Sequence, residues 1–179
     1  MPSPLFSPLQ IGPLTIPNRI IVAPMCQYSA ANGNANEWHR VHLGAMAKSG
    51  AALVMVEATA PEARGRITPN CLGLYSDDNE RALESVLATV RAVSEAKLGI
   101  QIGHAGRKAS TQCPWEGRDA LLPGKGGWQT LSPSGIKFND NDAQTHAMTH
   151  NDMQDVVDAH VNSVAVSYTH LTLPTTPYV

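Results

Sequence analysis

The alternation of strand-like and helix-like segments constrains the fold of this chain more than any other feature. Short apolar runs rich in β-branched residues are typical of buried strands, and segments with helical spacing of apolar residues alternate with them. This order predicts a parallel sheet with helices packed outside it, either doubly wound or closed as a (β/α) barrel. The strands are predicted at 19–24, 51–58 and 99–103, and the helices at 36–49, 78–97 and from 149 onward.

The residues around the first strand decide between these two architectures. Segment 9–20 (LQIGPLTIPNRI) alternates apolar and polar residues around a Gly-Pro pair, which predicts a hairpin. A doubly wound sheet that binds a dinucleotide carries G-x-G-x-x-G after its first strand, whereas Met-Cys-Gln-Tyr follows here. The barrel is therefore favoured.

The length of the chain limits how much of a barrel it can form. Three strand–helix units use nearly all 179 residues, and a complete barrel takes about 250. The predicted fold is the N-terminal part of a (β/α)8 TIM barrel, with about three βα units after the hairpin, over residues 1–166. Residues 167–179 (SYTHLTLPTTPYV) carry no charged side chain. We expect them to be a non-native tail, joined where a fourth strand should begin.

Composition bounds the classes of function. The 13 basic and 15 acidic residues form no long block of one sign, and no apolar run approaches the length of a membrane span. We therefore expect neither a nucleic-acid partner nor a membrane. The N-terminus resembles no signal peptide, and the three cysteines contain no C-x-x-C pair. This pattern argues against a disulfide framework and a zinc knuckle, and predicts a cytoplasmic protein.

Two histidines on the first helix need a separate decision. His39 and His42 are three residues apart and could in principle share a metal ion. No third ligand has suitable spacing, so a solvated helix face is the favoured interpretation and no metal site is predicted. The apolar face of this helix is predicted at Trp38, Val41, Ala45 and Ser49.

The candidate active-site residues follow the predicted strands, because a parallel barrel carries its active site at the carboxyl ends of its strands. They combine a thiol, a phenol, a carboxamide and basic groups, which suits a planar heterocycle better than a metal ion. The alternative for Cys26 is a small buried hydrophobe, and for Lys108 a solvated loop. The candidates are Cys26 and Tyr28, then 57–59, then Gln101 with His104, Arg107 and Lys108.

Several motifs in order resemble one known family. NRIIVAPMCQYSA, LVMVEATAPEARGRIT, LGLYSDDN and IQIGHAGRKAS are similar to segments of the Old Yellow Enzyme family of FMN-dependent ene-reductases. The similarity is to the branch that carries a cysteine beside the flavin, and it runs from about residue 5 to about residue 165. It implies hydride transfer from NADPH or NADH through FMN to the β-carbon of an activated alkene such as an enone.

The resemblance also implies roles for individual residues. Cys26 would lie near the flavin N5 edge and tune its redox potential, and Gln101 would hydrogen-bond the pyrimidine edge. Tyr28 would contact the substrate, and we expect Lys108 to face substrate as well. Cys26 and Tyr28 are thus the predicted catalytic residues. The predicted cofactor contacts are Ala23, Pro24, Met25, Cys26, Ala58 and Gln101.

The chain also departs from the family pattern. The family carries a His-x-x-His or His-x-x-Asn pair on strand four and phosphate-binding loops after strands seven and eight, and this sequence lacks both. We therefore expect the chain to be inactive alone, and its parent to be a homo-oligomer acting on a small-molecule alkene. Two alternatives stay open: a non-catalytic half-barrel that serves as a binding or scaffold module, and a related flavoenzyme such as a dienoyl or xenobiotic reductase.

Overall fold

A three-stranded parallel sheet with helices on one face forms the centre of the protein. The computed structural model describes residues 3–171. The strands are β1 (Leu9–Ile11), β2 (Leu14–Ile16), β3 (Ile21–Val22), β4 (Leu53–Thr59), β5 (Lys97–Ile102), β6 (Leu131–Ser132) and β7 (His146–Ala147). The helices are α1 (Glu37–Ala47), α2 (Asp77–Val93) and α3 (His150–Leu171). The predicted order of a hairpin followed by alternating strands and helices is confirmed.

The sheet has the order β3-β4-β5, and all its pairs are parallel. The three carboxyl ends therefore lie at one edge. The register between β4 and β5 shifts between Val56 and Ala58, so that Ala58 pairs with Gln101. The antiparallel hairpin β1-β2 and the small parallel pair β6-β7 lie outside this sheet.

The core lies between the sheet and the first two helices. Val54 and Val56 of β4 and Leu87 of α2 are each 0% exposed. α2 begins after Ser76, whose side chain accepts a hydrogen bond from the Asn79 amide. The sequence predicts an apolar stripe on α2 at Ala82, Leu83, Val86, Leu87, Val90 and Val93, and this stripe is buried except at its two ends. The buried core residues are Ala30, Ala35, Leu43, Ala47, Val54, Val56, Leu72, Leu74, Leu83, Val86, Leu87 and Val90.

The predicted apolar face of α1 is wrong. Trp38 and Val41 are 57% and 71% exposed, and the buried residues of the helix are His39, Leu43 and Ala47. The solvated position expected for His39 is therefore wrong too. The helix is oriented by its amino end, where Asn36 caps it, and by β4, against which it packs.

The sequence predicts a T-x-x-D capping box at the start of α3 and an apolar stripe along it, at Met153, Val156, Val157, His160, Val161 and Val164. The capping box is confirmed. Asp152 accepts a hydrogen bond from the Thr149 amide at 2.8 Å, and Thr149 Oγ1 accepts one from the Asp152 amide at 3.2 Å. Most of the predicted stripe is uncovered, because α3 contacts its neighbours through another face, which includes Ser163. Its exposed members are Met153, Val157, Val161 and Val164.

The predicted foreign tail overlaps the end of α3. Residues 167–171 continue this helix, whereas residues 172–179 lie outside the described residues. The His170 ring contacts Glu80 of α2 at 2.6 Å. None of the helices described for residues 3–171 is long and apolar enough to cross a membrane.

Candidate active site

The segment that follows β3 brings its predicted residues to the carboxyl edge of the sheet. Ala23 and Met25 are exposed there, while Pro24 and Cys26 are half-buried. The backbone of Ala58, at the end of β4, hydrogen-bonds to the Cys26 thiol. Because Ala58 also pairs with Gln101, residues from three separate strand ends meet at this edge.

Cys26 is a free thiol and is partly buried. The groups around it are acidic. Burial raises its pKa, and the neighbouring Glu57 and Cys71 raise it further, whereas the hydrogen bond to Ala58 opposes them. The group is thus a neutral thiol near pH 7. Cys71 and Cys113 are both buried beside Thr68, whose hydroxyl lies 3.5 Å and 3.8 Å from their sulfur atoms.

No metal centre accompanies these thiols in the part of the chain that the structure describes. Among residues 3–171, no group of three or more His, Cys, Asp or Glu side chains is arranged to hold a metal ion.

Tyr28, two residues after Cys26, lines a small cavity. Its backbone is left-handed, with φ of 49°, and its ring meets Trp115 edge to face at 6.0 Å between centroids. Burial raises the pKa of its hydroxyl, and the Cys26 thiol adds to this effect, while Arg118 opposes it. The cavity has a volume of about 180 Å³ and is lined by Tyr28, Ile67, Thr68, Thr111, Gln112, Pro114 and Arg118.

The place of Gln101 within a predicted strand indicates a buried carboxamide, but the structure gives it a different environment. The residue is exposed, because β5 is the edge strand of the described sheet. Within residues 3–171, its carboxamide has no hydrogen-bond partner and so offers a free donor and a free acceptor beside Ala58. A side-chain carbon added at Gly103 would meet nothing within 4 Å. An open edge with these groups fits a planar heterocycle that has donors and acceptors on its rim, as FMN has.

The structure does not bring Lys108 into contact with Cys26 or Tyr28. It follows β5 in a short helical turn, and its Nζ lies 4.7 Å from the centre of the Phe138 ring. Arg107 donates hydrogen bonds to the carbonyl oxygens of Ile136 and Lys137. Both cations thus contact the long segment after β5.

A buried carboxylate and a buried histidine lie next to each other near the segment that carries the thiol. Glu57 and His39 are 4% and 1% exposed, and their Oε1 and Nε2 atoms are 3.4 Å apart. Sequence reasoning placed Glu57 at a strand end without a role. A single carboxylate inside an apolar strand is the sequence signal that could have identified Glu57, because a buried charge needs partners. For Trp115 and Arg118 there was no such signal, since the fold alone brings their loop to Tyr28.

Comparison with known proteins identifies sequence relatives. Residues 4–168 match the family described as NADH:flavin oxidoreductase / NADH oxidase. An NADH:flavin oxidoreductase from Gibberella zeae is 44% identical over 135 residues, which are 74% of this chain and 32% of that protein. An NADPH dehydrogenase from a Geobacillus species is 34% identical over 164 residues, or 90% of this chain and 44% of that protein. The chain thus spans less than half the length of these relatives.

Solved structures share the fold. Morphinone reductase superposes with a TM-score of 0.75 at 22% identity, over 93% of this chain and 45% of that one. Old Yellow Enzyme from a Pichia species gives a TM-score of 0.77 at 18% identity, over 95% and 44% of the two chains. The open sheet of this chain therefore matches part of a larger (β/α)8 barrel, as the sequence predicts.

Proposed function

The chain belongs to the NADH:flavin oxidoreductase / NADH oxidase family, and on that premise we propose that it forms the flavin-facing N-terminal half of an ene-reductase. The family implies FMN as cofactor and NADH or NADPH as reductant. The proposed substrates are small molecules with an activated C=C bond, such as enones. We also propose that residues 1–166 are the barrel part of the chain, that the whole enzyme is a cytoplasmic homo-oligomer, and that this chain is inactive alone.

The meeting of three strand ends carries this proposal. The segment after β3 presents exposed backbone at Ala23 and Met25, and Gln101 presents its unpartnered carboxamide at the same edge. Bound FMN would supply hydride transfer between the nicotinamide and the alkene. The protein would orient the ring and shield its face. The residues proposed to hold it are Ala23, Pro24, Met25, Cys26, Ala58 and Gln101.

Tyr28 and its cavity supply the proposed substrate side. The phenol is protonated near neutral pH, and burial raises its pKa further, so it can donate a hydrogen bond to a substrate carbonyl. Cys26 keeps its proton for the same reason and would act on the cofactor as a neutral hydrogen-bonding group. A role of Lys108 in substrate binding stays a prediction, with its ammonium group above the Phe138 ring.

Flavin binding to this edge can be measured on the chain itself by following backbone amide resonances during titration with FMN. We expect weak binding, with shifts concentrated at Cys26, Ala58 and Gln101. Riboflavin should give the same pattern, because the phosphate loops of the family are absent from the chain. Gln101→Ala should weaken binding by about threefold to tenfold, equivalent to one lost hydrogen bond. Gln129→Ala, which changes an exposed glutamine outside this edge, should not.

Two outcomes would overturn the proposal. One is the absence of any shift at millimolar flavin, and the other is a set of shifts located away from the strand ends. Loss of binding in both glutamine variants would show that the effect is not specific to Gln101.

A further inference from the structure

The carboxylate of Glu57 contacts the backbone of the segment that carries Cys26 and Tyr28, called the thiol segment (residues 26–28) below. Glu57 Oε2 accepts a hydrogen bond from the Gln27 amide at 3.0 Å. A buried carboxylate is costly unless it is paired, and Glu57 is 4% exposed. This contact therefore joins a buried charge of β4 to the middle of the thiol segment.

His39 faces the other oxygen atom of this carboxylate. The Asn36 amide donates a hydrogen bond to His39 Nδ1 at 3.1 Å. Nδ1 also lies 3.1 Å from Asn36 Oδ1. When Nδ1 accepts from the backbone amide, the ring carries a proton on Nε2. That nitrogen faces Glu57 Oε1 at 3.4 Å and makes no hydrogen bond to any described residue. The contact is longer than a hydrogen bond, so we treat it as an electrostatic interaction between two buried groups.

Side chains at the start of α1 hold the same segment. Trp38 Nε1 donates to Gln27 Oε1 at 3.1 Å, and Asn36 Nδ2 donates to the Ser29 carbonyl oxygen at 2.6 Å. Tyr28 lies between these contacts in a left-handed conformation that costs free energy for a non-glycine residue. The surrounding contacts must therefore maintain it.

The charges around the thiol favour its protonated form. Glu57 of β4 and Cys71 both raise the pKa of the thiol, and the thiol in turn raises the pKa of the Tyr28 hydroxyl. The imidazoles of His39 and His42 lie beyond the carboxylate, where burial lowers the pKa of His42. Of the neighbouring charges that act on the thiol, that of Glu57 has the largest effect, and it is negative.

We propose that Glu57, paired with His39, is a positioning residue that fixes the thiol segment, and that its negative charge adds to burial in disfavouring ionisation of the Cys26 thiol. Its importance to a flavin rests on the proposed function, but the arrangement itself is a property of this chain. In this arrangement the Glu57 side chain has two separate effects. An oxygen atom holds the Gln27 amide in place, and a negative charge acts on the sulfur.

The positional effect can be tested by amide hydrogen exchange at Gln27. Glu57→Ala removes the acceptor and should speed exchange by about tenfold, while Glu57→Gln retains an acceptor oxygen and should restore protection. Equal exchange in all three proteins would overturn this half of the proposal.

The charge effect can be tested through the alkylation rate of Cys26 by iodoacetamide at about pH 8 to 10. Glu57→Gln should raise the rate constant by about threefold to tenfold, because it removes the anion beside the thiol. Cys26→Ser measures the background from the two buried cysteines. Glu37→Gln removes an exposed carboxylate near the same end of α1 and should leave the rate unchanged.

A variant with the opposite expected sign distinguishes electrostatics from simple loosening. His39→Leu leaves the Glu57 charge with less compensation, so the alkylation rate should fall. Faster alkylation in both His39→Leu and Glu57→Gln, or no change in Glu57→Gln, would refute the charge effect. If Glu57→Gln does not fold, the direction of the change in alkylation rate in His39→Leu decides whether the charge effect stands. None of these measurements uses flavin, so they can succeed or fail independently of the FMN titration.

Discussion

Gly127 lies where the backbone of the long segment after β5 folds closely onto itself. A side-chain carbon at this position would lie closer to the Leu121 carbonyl oxygen than real contacts allow. The Ser110 hydroxyl links two parts of this segment. It donates a hydrogen bond to the Leu121 carbonyl at 2.7 Å and accepts one from the Trp128 backbone amide at 2.9 Å. Glycine at 127 is therefore needed for close backbone packing.

Gly127→Ala should lower the free energy of unfolding by about 1–3 kcal/mol, because the backbone must move to admit the methyl group. Urea unfolding followed by circular dichroism measures this change. Gly103→Ala is the matched control, because its new carbon meets nothing within 4 Å, and it should change stability by less than about 0.5 kcal/mol. Equal losses in the two variants would contradict the packing argument.

At the level of single residues, the sequence predicts the position of the site better than it predicts which side chains are buried. Cys26 and Ala58 were expected at the same sheet edge because both follow parallel strands, and they are in contact there. The exposure of Gln101 and the burial of His39 could not be predicted. Exposure depends on which neighbours cover a side chain, and a spacing of three or four residues does not give that information.

The amino end of α3 depends on one ionised carboxylate. Hydrogen bonds from the Thr149 hydroxyl and amide to Asp152 hold the pKa of this carboxyl well below its usual range, and His146 Nε2 lies 3.0 Å from it. A depressed pKa means that the folded state favours the ionised form. The stabilisation is therefore present at neutral pH and is lost as pH falls through and below the usual carboxyl range.

Asp152→Asn should reduce the acid sensitivity of the chain. Between about pH 5 and pH 2, we expect the melting temperature of the wild-type chain to fall more steeply than that of the variant. Asp155→Asn, an exposed change on the same helix, should keep the wild-type slope. Parallel curves for wild type and Asp152→Asn would show that this cap does not contribute to the acid transition.

The three helices differ in how well an apolar stripe predicted their packing. The stripe of α2 is covered by the sheet and by α1, so periodicity identified its buried face. In α1, the amino-terminal contacts of Asn36 and Trp38 set the rotation instead. In α3, the stripe is exposed in the described structure. Periodicity identifies an apolar face, but only the neighbouring elements determine whether that face is buried.

At the scale of the whole molecule, several thiol and phenol groups have a pKa that is raised above its usual value. Burial is the largest cause of the raised pKa of Cys26, Tyr28, Tyr75 and Cys113. For an acid with a raised pKa, the unfolded chain releases its proton first as pH increases. Stability is therefore retained up to the usual thiol range and is lost above it.

Thermal unfolding at increasing pH tests this direction. The melting temperature should fall between about pH 8 and pH 10.5, and the double variant Cys26→Ser/Cys113→Ser should show a shallower decline. A melting temperature that stays constant or rises over this interval would contradict the assignment.

The uncovered stripe of α3 and the open edge of β5 predict self-association. Val157→Lys/Val161→Lys should weaken the association of this chain by about tenfold, because it removes apolar surface from the contact. Sedimentation at several concentrations measures the effect. Asn162→Lys adds a charge to an exposed polar position of the same helix and should have little effect. Unchanged association in the valine variant would exclude α3 as the contact.

The identity of the fold was the most predictable property of the whole molecule. Alternating segments and the missing dinucleotide fingerprint led to the barrel, and the resemblance to the Old Yellow Enzyme family is confirmed by the family match over residues 4–168. The arrangement of residues 104–146 was not predictable, since its backbone follows no repeating pattern and is fixed by contacts between distant residues.

The register shift in β4 also limits how this protein can change over evolutionary time. Val56 and Glu57 are consecutive and both buried. Glu57 is the extra residue at the shift, and Ala58 after it pairs with Gln101. Loss or gain of one residue in this strand would reverse the direction of every later side chain. We therefore expect related sequences to vary freely in the identity of the apolar residues of β4 but to conserve its length.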